Sequence, residues 1–440
     1  MTDLSNAHSI NIFPERACNP YSAIEQKLPS LSLNCDVVIV GTGVAGLFCA
    51  LHLPHDKKVI MLNKTTLDEC DSMLAQGGIC VMLNDDDYDA YFEDTLRAGH
   101  YENRRESVDI MLRSSRSVIN ELLSYGVDFE KNADGSLAYT REGAHSAPRI
   151  CYHEDITGKE ITTRLLEAVQ KLENVTIYDH TCMTDLIIGS DESQPECDCC
   201  QGITAVSSNP QLITQTNEAT DGLVRLTIDA TSTVLACGGL GGLYEHSTNF
   251  PSLTADAIRL CDEHGIELEH PEYIQIHPTT LYSTKPGRSF LISESCRGEG
   301  AILLNDKHER FVDELLPRDV VTHAILDEMA KTGAKHVWLS FERINPEEII
   351  KHFPAIRQQC LEEGYDILSE PIPVVPAQHY LMGGIHVDKD SATTMPALWA
   401  VGETSCNGVH GKNRLASNSL LESLVFAQRA ASSIIRCQED

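Results

Sequence analysis

Residues 35–47 read CDVVIVGTGVAGL, a β-branched apolar run that ends in three glycines, Gly41, Gly43 and Gly46, spaced G-x-G-x-x-G. The run is short and apolar throughout, as a buried parallel strand requires. A helical stretch at 47–53 and a second apolar strand at 59–62 follow it, so the elements come in the order of a βαβ dinucleotide unit. In that context each glycine has its own task. Gly41 permits the tight turn, Gly43 lets backbone approach a pyrophosphate, and Gly46 lets the helix pack on the strand while its amino end favours the anion. The acid that often holds a ribose after the second strand is replaced by Asn63 and Lys64. Lys64 raises the question of an NADP phosphate, so the motif alone leaves the nucleotide open.

Outward from this unit, Ile161, Leu165, Leu166, Val169 and Leu172 mark one face of a helix, and 175–178 reads as a strand. Strand candidates at 184–188, 202–207, 223–228 and 233–236 then form a meander that returns to a second glycine-rich turn at 237–242. A strand at 397–401 runs into Gly402 and Glu403, and a last helix starts near 417–419, where Ser419 and Glu422 match a capping box. The expected architecture is α/β. Residues 1–34 are an irregular leader, 35–245 and 353–440 form two segments of a Rossmann-type domain, and 246–352 is an inserted α+β capping domain.

Composition limits the function. The 440 residues carry 65 acidic against 34 basic side chains, a net charge of −31, which repels nucleic acid and anionic membrane surfaces. An anionic substrate therefore needs a local Arg and His cluster, effective because the global field is screened over about 8–10 Å. The 16 cysteines include several inside apolar or glycine-rich segments, which fits reduced thiols in the cytoplasm. The amino terminus has neither a basic n-region nor an apolar h-region, and no apolar run approaches membrane-spanning length. Cys197, Cys199 and Cys200 are closely spaced, but no second pair follows at zinc spacing, so a hairpin tip is expected there and no metal.

A set of motifs carries a wider resemblance: GTGVAGL (41–47), AQGGI (75–79), TREGAHS (140–146), ACGG (236–239), IQIHPTTL (274–281), SESCRGEGA (293–301), LPRDVV (316–321), PAQHYLMGGI (376–385) and GVHGKNRLASNSLLE (408–422). In these the chain resembles the succinate dehydrogenase/fumarate reductase flavoprotein family, and within it the soluble branch that oxidises L-aspartate. The resemblance implies FAD, held by Gly41, Gly43, Gly46, Lys64, Gln76, Gly77, Gly78, Glu403, Asn418, Ser419 and Leu420. A helix opening at Asn418 would aim its positive end at the flavin and favour hydride acceptance. Respiratory members carry a flavin-linked His five residues before the Gln of AQGG. Asp71 stands there in this chain, so noncovalent FAD is expected.

The resemblance also supplies the cationic cluster. Arg414 clamps a carboxylate bidentately, His277 and His379 bind or polarise the other, and Arg318 is the proton-transferring arginine. Gln275, Ser293 and Glu294 complete the pocket. Glu142 is the candidate partner for a substrate ammonium, which succinate lacks. The competing structural readings are a surface ion pair of Arg318 with Asp319 and of Glu142 with Arg141 or Arg149. The implied reaction takes L-aspartate to iminoaspartate by hydride transfer from Cα to flavin N5, with reoxidation by O2 or fumarate. It is the first step of de novo NAD biosynthesis, with the product passed to quinolinate synthase. The alternative is a soluble fumarate reductase or succinate-oxidising flavoprotein. Family members continue past the last helix into a three-helix bundle, which is expected to be absent because this sequence stops at Asp440.

Overall fold

The computed structural model describes residues 20–190, 198–216, 222–285 and 287–439. Strand β1 (Ser30–Val40), helix α1 (Val44–Leu51) and strand β2 (Val59–Leu62) form the expected βαβ unit, and β1 and β2 pair in parallel. β1 starts earlier than the sequence reading placed it. Residues 30–34 alternate polar and apolar, and they pair with 225–229 before the strand sinks into the fully buried stretch 37–40. The outer half is a half-exposed strand with period two, and only the inner half has the all-apolar signature.

β1 lies inside a seven-stranded sheet. Its path runs Val175–Tyr178, β2, β1, Val224–Leu235, Asp198–Ser207 and Thr181–Ser190. The short strand Leu398–Ala400 also pairs with Val224–Leu235. The β2, β1 and 224–235 pairings are parallel, whereas 181–190, 198–207 and 224–235 form the antiparallel meander. The candidate strands 223–228 and 233–236 are one continuous strand. The polar residues between them sit where the antiparallel neighbour ends at Asp229 and Leu398–Ala400 takes over from Thr233, so they mark a change of partner and no turn. The last helix, Asn418–Glu439, buries Leu421, Leu424, Val425 and Phe426 in the same core as α1 and helix Arg105–Ser124.

A second sheet, ordered Ile274–Leu281, Ile372–Leu381, Val337–Ser340 and Ile302–Leu304, is wholly antiparallel and has its own core around Ile292, Val321, Ile325, Leu339 and Ile356. It takes a strand from beyond residue 352, the boundary drawn from sequence. That run contains Pro373 and Pro376, which reads poorly as an interior strand because proline donates no ladder hydrogen bond. Pro376 is accommodated at a register shift opposite the stretch 277–280. Among the described residues, no helix is long and apolar enough to cross a membrane.

The glycine turn fixes the geometry of the dinucleotide unit. Gly41 has φ +118°, and a Cβ there would lie 2.1 Å from the Ala236 carbonyl oxygen. A Cβ on Gly46 would lie 2.1 Å from the Gly41 carbonyl oxygen. Both obstacles are backbone, so neither can swing aside. Gly46→Ala is expected to destabilise the protein by about 2–3 kcal/mol through overpacking and to lower its flavin content. Thermal melting and the absorbance of the purified protein check both effects.

Candidate active site

One cleft runs between the two sheet units and encloses about 1630 Å³ of atom-free space, its open mouth included. Gly41, Gly43, Lys64, Cys182 and Cys237 line one end, and His277, His379, Arg318 and Arg414 line the other. The first end suits a dinucleotide and the second a small acid.

At the dinucleotide end Gly43 precedes the first turn of α1, whose leading Val44 N–H is donated to Ser72 Oγ at 3.2 Å. Lys64 Nζ donates to the Ser252 carbonyl (3.1 Å), Thr254 Oγ1 (2.7 Å) and Asp256 Oδ2 (2.7 Å). All three ammonium protons are thus engaged, which removes the case for a 2′-phosphate on Lys64. Further along, the buried Gln76 Oε1 and Asp71 Oδ2 both lack hydrogen-bond partners and belong to residues that line the cleft. Such orphaned atoms beside a glycine turn fit a bound dinucleotide with polar groups along its length. Asp71 Oδ1 accepts from Phe250 N at 3.0 Å, and burial lifts its carboxyl to about 7. Glu403 accepts from Leu381 N at 2.9 Å and is lifted to about 8, by burial first and then by Asp71.

At the cationic end, Arg318 opens helix Arg318–Thr332 and is nearly buried. Its Nε donates to Glu294 Oε2 at 2.5 Å and its NH1 to Gln275 Oε1 at 2.9 Å. Gln275 Nε2 in turn donates to Asn413 Oδ1 and to the Arg414 carbonyl. Gln275 therefore ties two arginines together from behind the wall. Asp319 is engaged by His100 at 2.9 Å and by Asn413, so the surface pair with Arg318 does not form.

Arg414 stacks over Tyr380, 4.5 Å from the ring centroid, and donates to Ser419 Oγ at 3.0 Å. Its Nε is buried without a partner. Burial, then repulsion from Arg318, pulls its guanidinium down to about 10. The His277 and His379 rings lie 5.1 Å apart, edge to face. His379 Nδ1 bonds Thr248 Oγ1 at 2.7 Å and His277 Nδ1 lies 3.0 Å from the Thr279 carbonyl, while His277 Nε2 has no partner. Burial first, and then Arg318, hold both imidazoles well below their ordinary pKa, so both are neutral at pH 7.

Two buried carboxylates accompany these cations. Burial would raise Glu294, but Arg318 and Arg297 outweigh it, and the net shift is downward. Ser293 caps the short helix Glu294–Gly298 that carries it. Glu142 is also buried, with the net shift upward, from burial first and then from Glu294. Arg149 pairs with Asp87 and Asp94, and Arg141 Nε donates to the His145 carbonyl, so Glu142 forms no ion pair among the described residues. Its partners are the hydroxyls of Ser295 (2.9 Å) and Ser417.

Several expectations need correction. Asn418 is the first residue of the last helix, but its side chain bonds Tyr91 and Thr95, whereas Ser417, Ser419 and Leu420 line the cleft. Gly46 does not line the cleft, and its close packing on Gly41 is the helix–strand role its place in the glycine motif gave it. Ser419 and Glu422 are no capping box. Both lie inside the helix, with Ser419 engaged by Arg414 and Glu422 by Asn407 and Ser423. Cys199 and Cys200 belong to strand Asp198–Ser207, with Cys200 buried against Thr233 Oγ1; Cys197 lies outside the described residues. Arg297, 3.5 Å from Glu294, and Tyr380 were not singled out by sequence, although both stand inside quoted motifs one to four residues from selected positions.

Known proteins are similar to this chain in sequence. The FAD binding domain family matches residues 36–420. L-aspartate oxidase of Clostridium acetobutylicum is 47% identical over 92% of this chain and 88% of its own length, and that of Clostridium perfringens is 46% identical over 90% and 85%. The chain belongs to the L-aspartate oxidase family. FAD is therefore the cofactor for which the cleft is built. The same fold occurs in solved structures of other proteins. The quinol fumarate reductase of E. coli superposes with a TM-score of 0.81 at 28% identity, covering 92% of this chain and 70% of that one. Mycobacterium smegmatis Sdh1 gives 0.74 at 30%, covering 94% and 70%.

Glu422, beneath the cleft, provides a pH test. Burial lifts its carboxyl to about 7 from an ordinary 4.5, so the stability is complete below about pH 4.5 and is lost as pH rises through 7. Glu422→Gln keeps an acceptor for Asn407 without the charge. In flavin-free protein it is expected to match the wild type near pH 4.5 and exceed it by up to ~3 kcal/mol at pH 8, measured by urea unfolding.

Proposed function

We propose that this chain oxidises L-aspartate to iminoaspartate with noncovalently held FAD, the first step of de novo NAD biosynthesis by way of quinolinate. The carrying observation is Glu142, a buried carboxylate with no ion pair among the described residues, lining the same cleft as Arg318, His379 and Arg414. A dicarboxylate alone gives Glu142 only repulsion. A dicarboxylate bearing an ammonium gives it a counter-charge. The resemblance to enzymes called L-aspartate oxidase supports the same reading.

The roles follow from the chemistry of each side chain. Arg414, held flat on Tyr380, clamps one carboxylate, and its unpartnered Nε is a donor available for that contact. His277 and His379, kept neutral, hydrogen-bond the other carboxylate without adding charge to a crowded cationic end. Glu142 takes the ammonium, and its raised pKa suits it to accept the nitrogen's proton as the imine forms. FAD, when bound, supplies the hydride acceptor. Gln275 and Glu294 hold the Arg318 side chain and Ser293 caps the short helix that carries Glu294, so Arg318 can deliver a proton to fumarate when fumarate serves as the electron acceptor in place of O2. Arg318, Glu294 and Arg297 form a contiguous chain that can replace that proton.

The second sheet unit acts as a cap that excludes water from the cleft. Asp71, where the respiratory branch has its histidine, cannot form the histidyl bond. Imines hydrolyse in water, so direct use by quinolinate synthase in the cytoplasm fits the product's chemistry.

Anaerobic addition of L-aspartate is expected to bleach the flavin absorbance, while succinate leaves it unchanged. The opposite pattern would place the chain with succinate-oxidising flavoproteins. Glu142→Gln should lower kcat/KM for L-aspartate by about 100-fold or more, as expected when one partner of a buried ion pair is removed, without weakening succinate binding. Arg318→Leu should retain FAD and lose fumarate reduction by about 10²–10⁴-fold, the usual contribution of a positioned general acid. Unchanged fumarate turnover would remove Arg318 from the mechanism.

A further inference from the structure

Glu142 lies on the segment 140–146, between two hydroxyls that belong to different parts of the molecule. Ser295 lies in helix Glu294–Gly298 of the second sheet unit and donates to Oε1 at 2.9 Å. Ser417 immediately precedes the last helix of the dinucleotide unit and donates to Oε2. Each carboxylate oxygen is thus fixed by one hydroxyl and keeps a lone pair for a further donor. The surrounding backbone closes round it. A Cβ on Gly77 would lie 2.3 Å from Glu142 Oε1, and one on Gly298 would lie 2.2 Å from the Arg141 carbonyl oxygen. Ser417 holds φ +62°, a left-handed conformation uncommon for a residue with a side chain.

We propose that Ser295 and Ser417 are positioning residues for amine recognition, a two-hydroxyl clamp that aims the Glu142 carboxylate at the substrate nitrogen and is complete only when the two sheet units meet. The proposal rests on the aspartate reading above. Selection of an amino acid over a plain dicarboxylate is then a property of the assembled interface. Glu142 by itself does not supply it. The clamp also favours the charged form of Glu142, against a net upward shift. Burial, then Glu294, opposes its charge, while the two hydroxyls and Arg318 favour it, with Arg297, Arg414 and Cys80 as the other titratable groups facing it.

The test compares the wild-type holoenzyme with Ser295→Ala, Ser295→Thr and Ser417→Gly. Alanine suits a helix position, and glycine adopts the left-handed φ at 417 without strain, so each variant removes a hydroxyl with little cost to the backbone. Ser295→Ala and Ser417→Gly are each expected to lower kcat/KM for L-aspartate roughly ten- to a hundredfold, the value of one hydrogen bond to a charged group. The acidic limb of the pH profile should move to higher pH because both lost bonds favoured the ionised carboxylate. The dissociation constant for succinate, read from the flavin spectrum, should stay unchanged, and Ser295→Thr should restore the wild-type values. Equal losses for aspartate and succinate, an unmoved limb, or no rescue by threonine would overturn the clamp. A wild-type flavin that aspartate fails to reduce would overturn the aspartate reading itself, whereas a reducible wild type with unaffected variants would overturn the clamp alone.

Discussion

The structure depends on removing several like charges from water at one place. Arg318 and Arg414 are buried at one end of the cleft, with Arg297 buried behind Glu294, beside the buried His277 imidazole and the partly exposed His379. Desolvation of a single ion costs several kcal/mol even after relaxation. The fold offsets this in three ways. Glu294 lies against Arg318 and Arg297, the Tyr380 ring lies under Arg414, and His277 and His379 stay neutral. What remains is a surplus of positive charge and an unpartnered donor on the cleft wall, Arg414 Nε. A substrate with two carboxylates and one ammonium, net −1, offsets this surplus and also meets Glu142, which accounts for a site that binds a small acid inside a protein of net charge −31.

That cluster cannot be made by either sheet unit alone. Gln275, His277, Glu294, Arg297 and Arg318 come from the second unit, while Glu142, Arg414 and Ser417 come from the dinucleotide unit. Gln275 joins the two by bonding Arg318 on one side and the Arg414 carbonyl on the other. Asp155 adds a second joint, with its carboxylate accepting from the N–H groups of Ala355 and Ile356 at the start of helix Pro354–Glu362. Binding chemistry and inter-unit packing therefore share the same bonds, and a change in one is felt in the other.

The dinucleotide end relies on steric economy. Gly41, Gly46 and Ala236 bring a turn, a helix and a neighbouring strand within distances that no Cβ could enter, so the amino end of α1 opens directly onto the cleft. The last helix then packs its apolar face on α1 and brings Ser417, Ser419 and Leu420 to the same cavity. The two arrangements differ in kind. The nucleotide end is defined by backbone proximity, and the acid end by side-chain charge.

The sequence by itself determined the βαβ unit and, through its resemblance to a flavoprotein family, the cofactor class, and it singled out His277, Arg318, His379 and Arg414, which meet in one cleft. These depend on local patterns such as a glycine spacing after an apolar strand, or short motifs around His277, Arg318, His379 and Arg414. It was least informative where partners are distant. The continuity of Val224–Leu235 through a polar stretch depends on a neighbour 160 residues away or more, strand Leu398–Ala400. The place of the proline-containing strand Ile372–Leu381 in the second sheet depends on pairing with Ile274–Leu281 and Val337–Ser340. Glu422 matched a capping pattern, yet its carboxylate bonds Asn407 because helix Asn418–Glu439 begins earlier than the pattern implied and places Ser419 inside it. The engagement of Lys64 by Asp256, the Tyr380 seat for Arg414 and the serine clamp on Glu142 were decided only by tertiary structure. Each is a contact between residues far apart in the chain, and local periodicity carries no information about which distant surfaces meet once apolar burial brings the two units together.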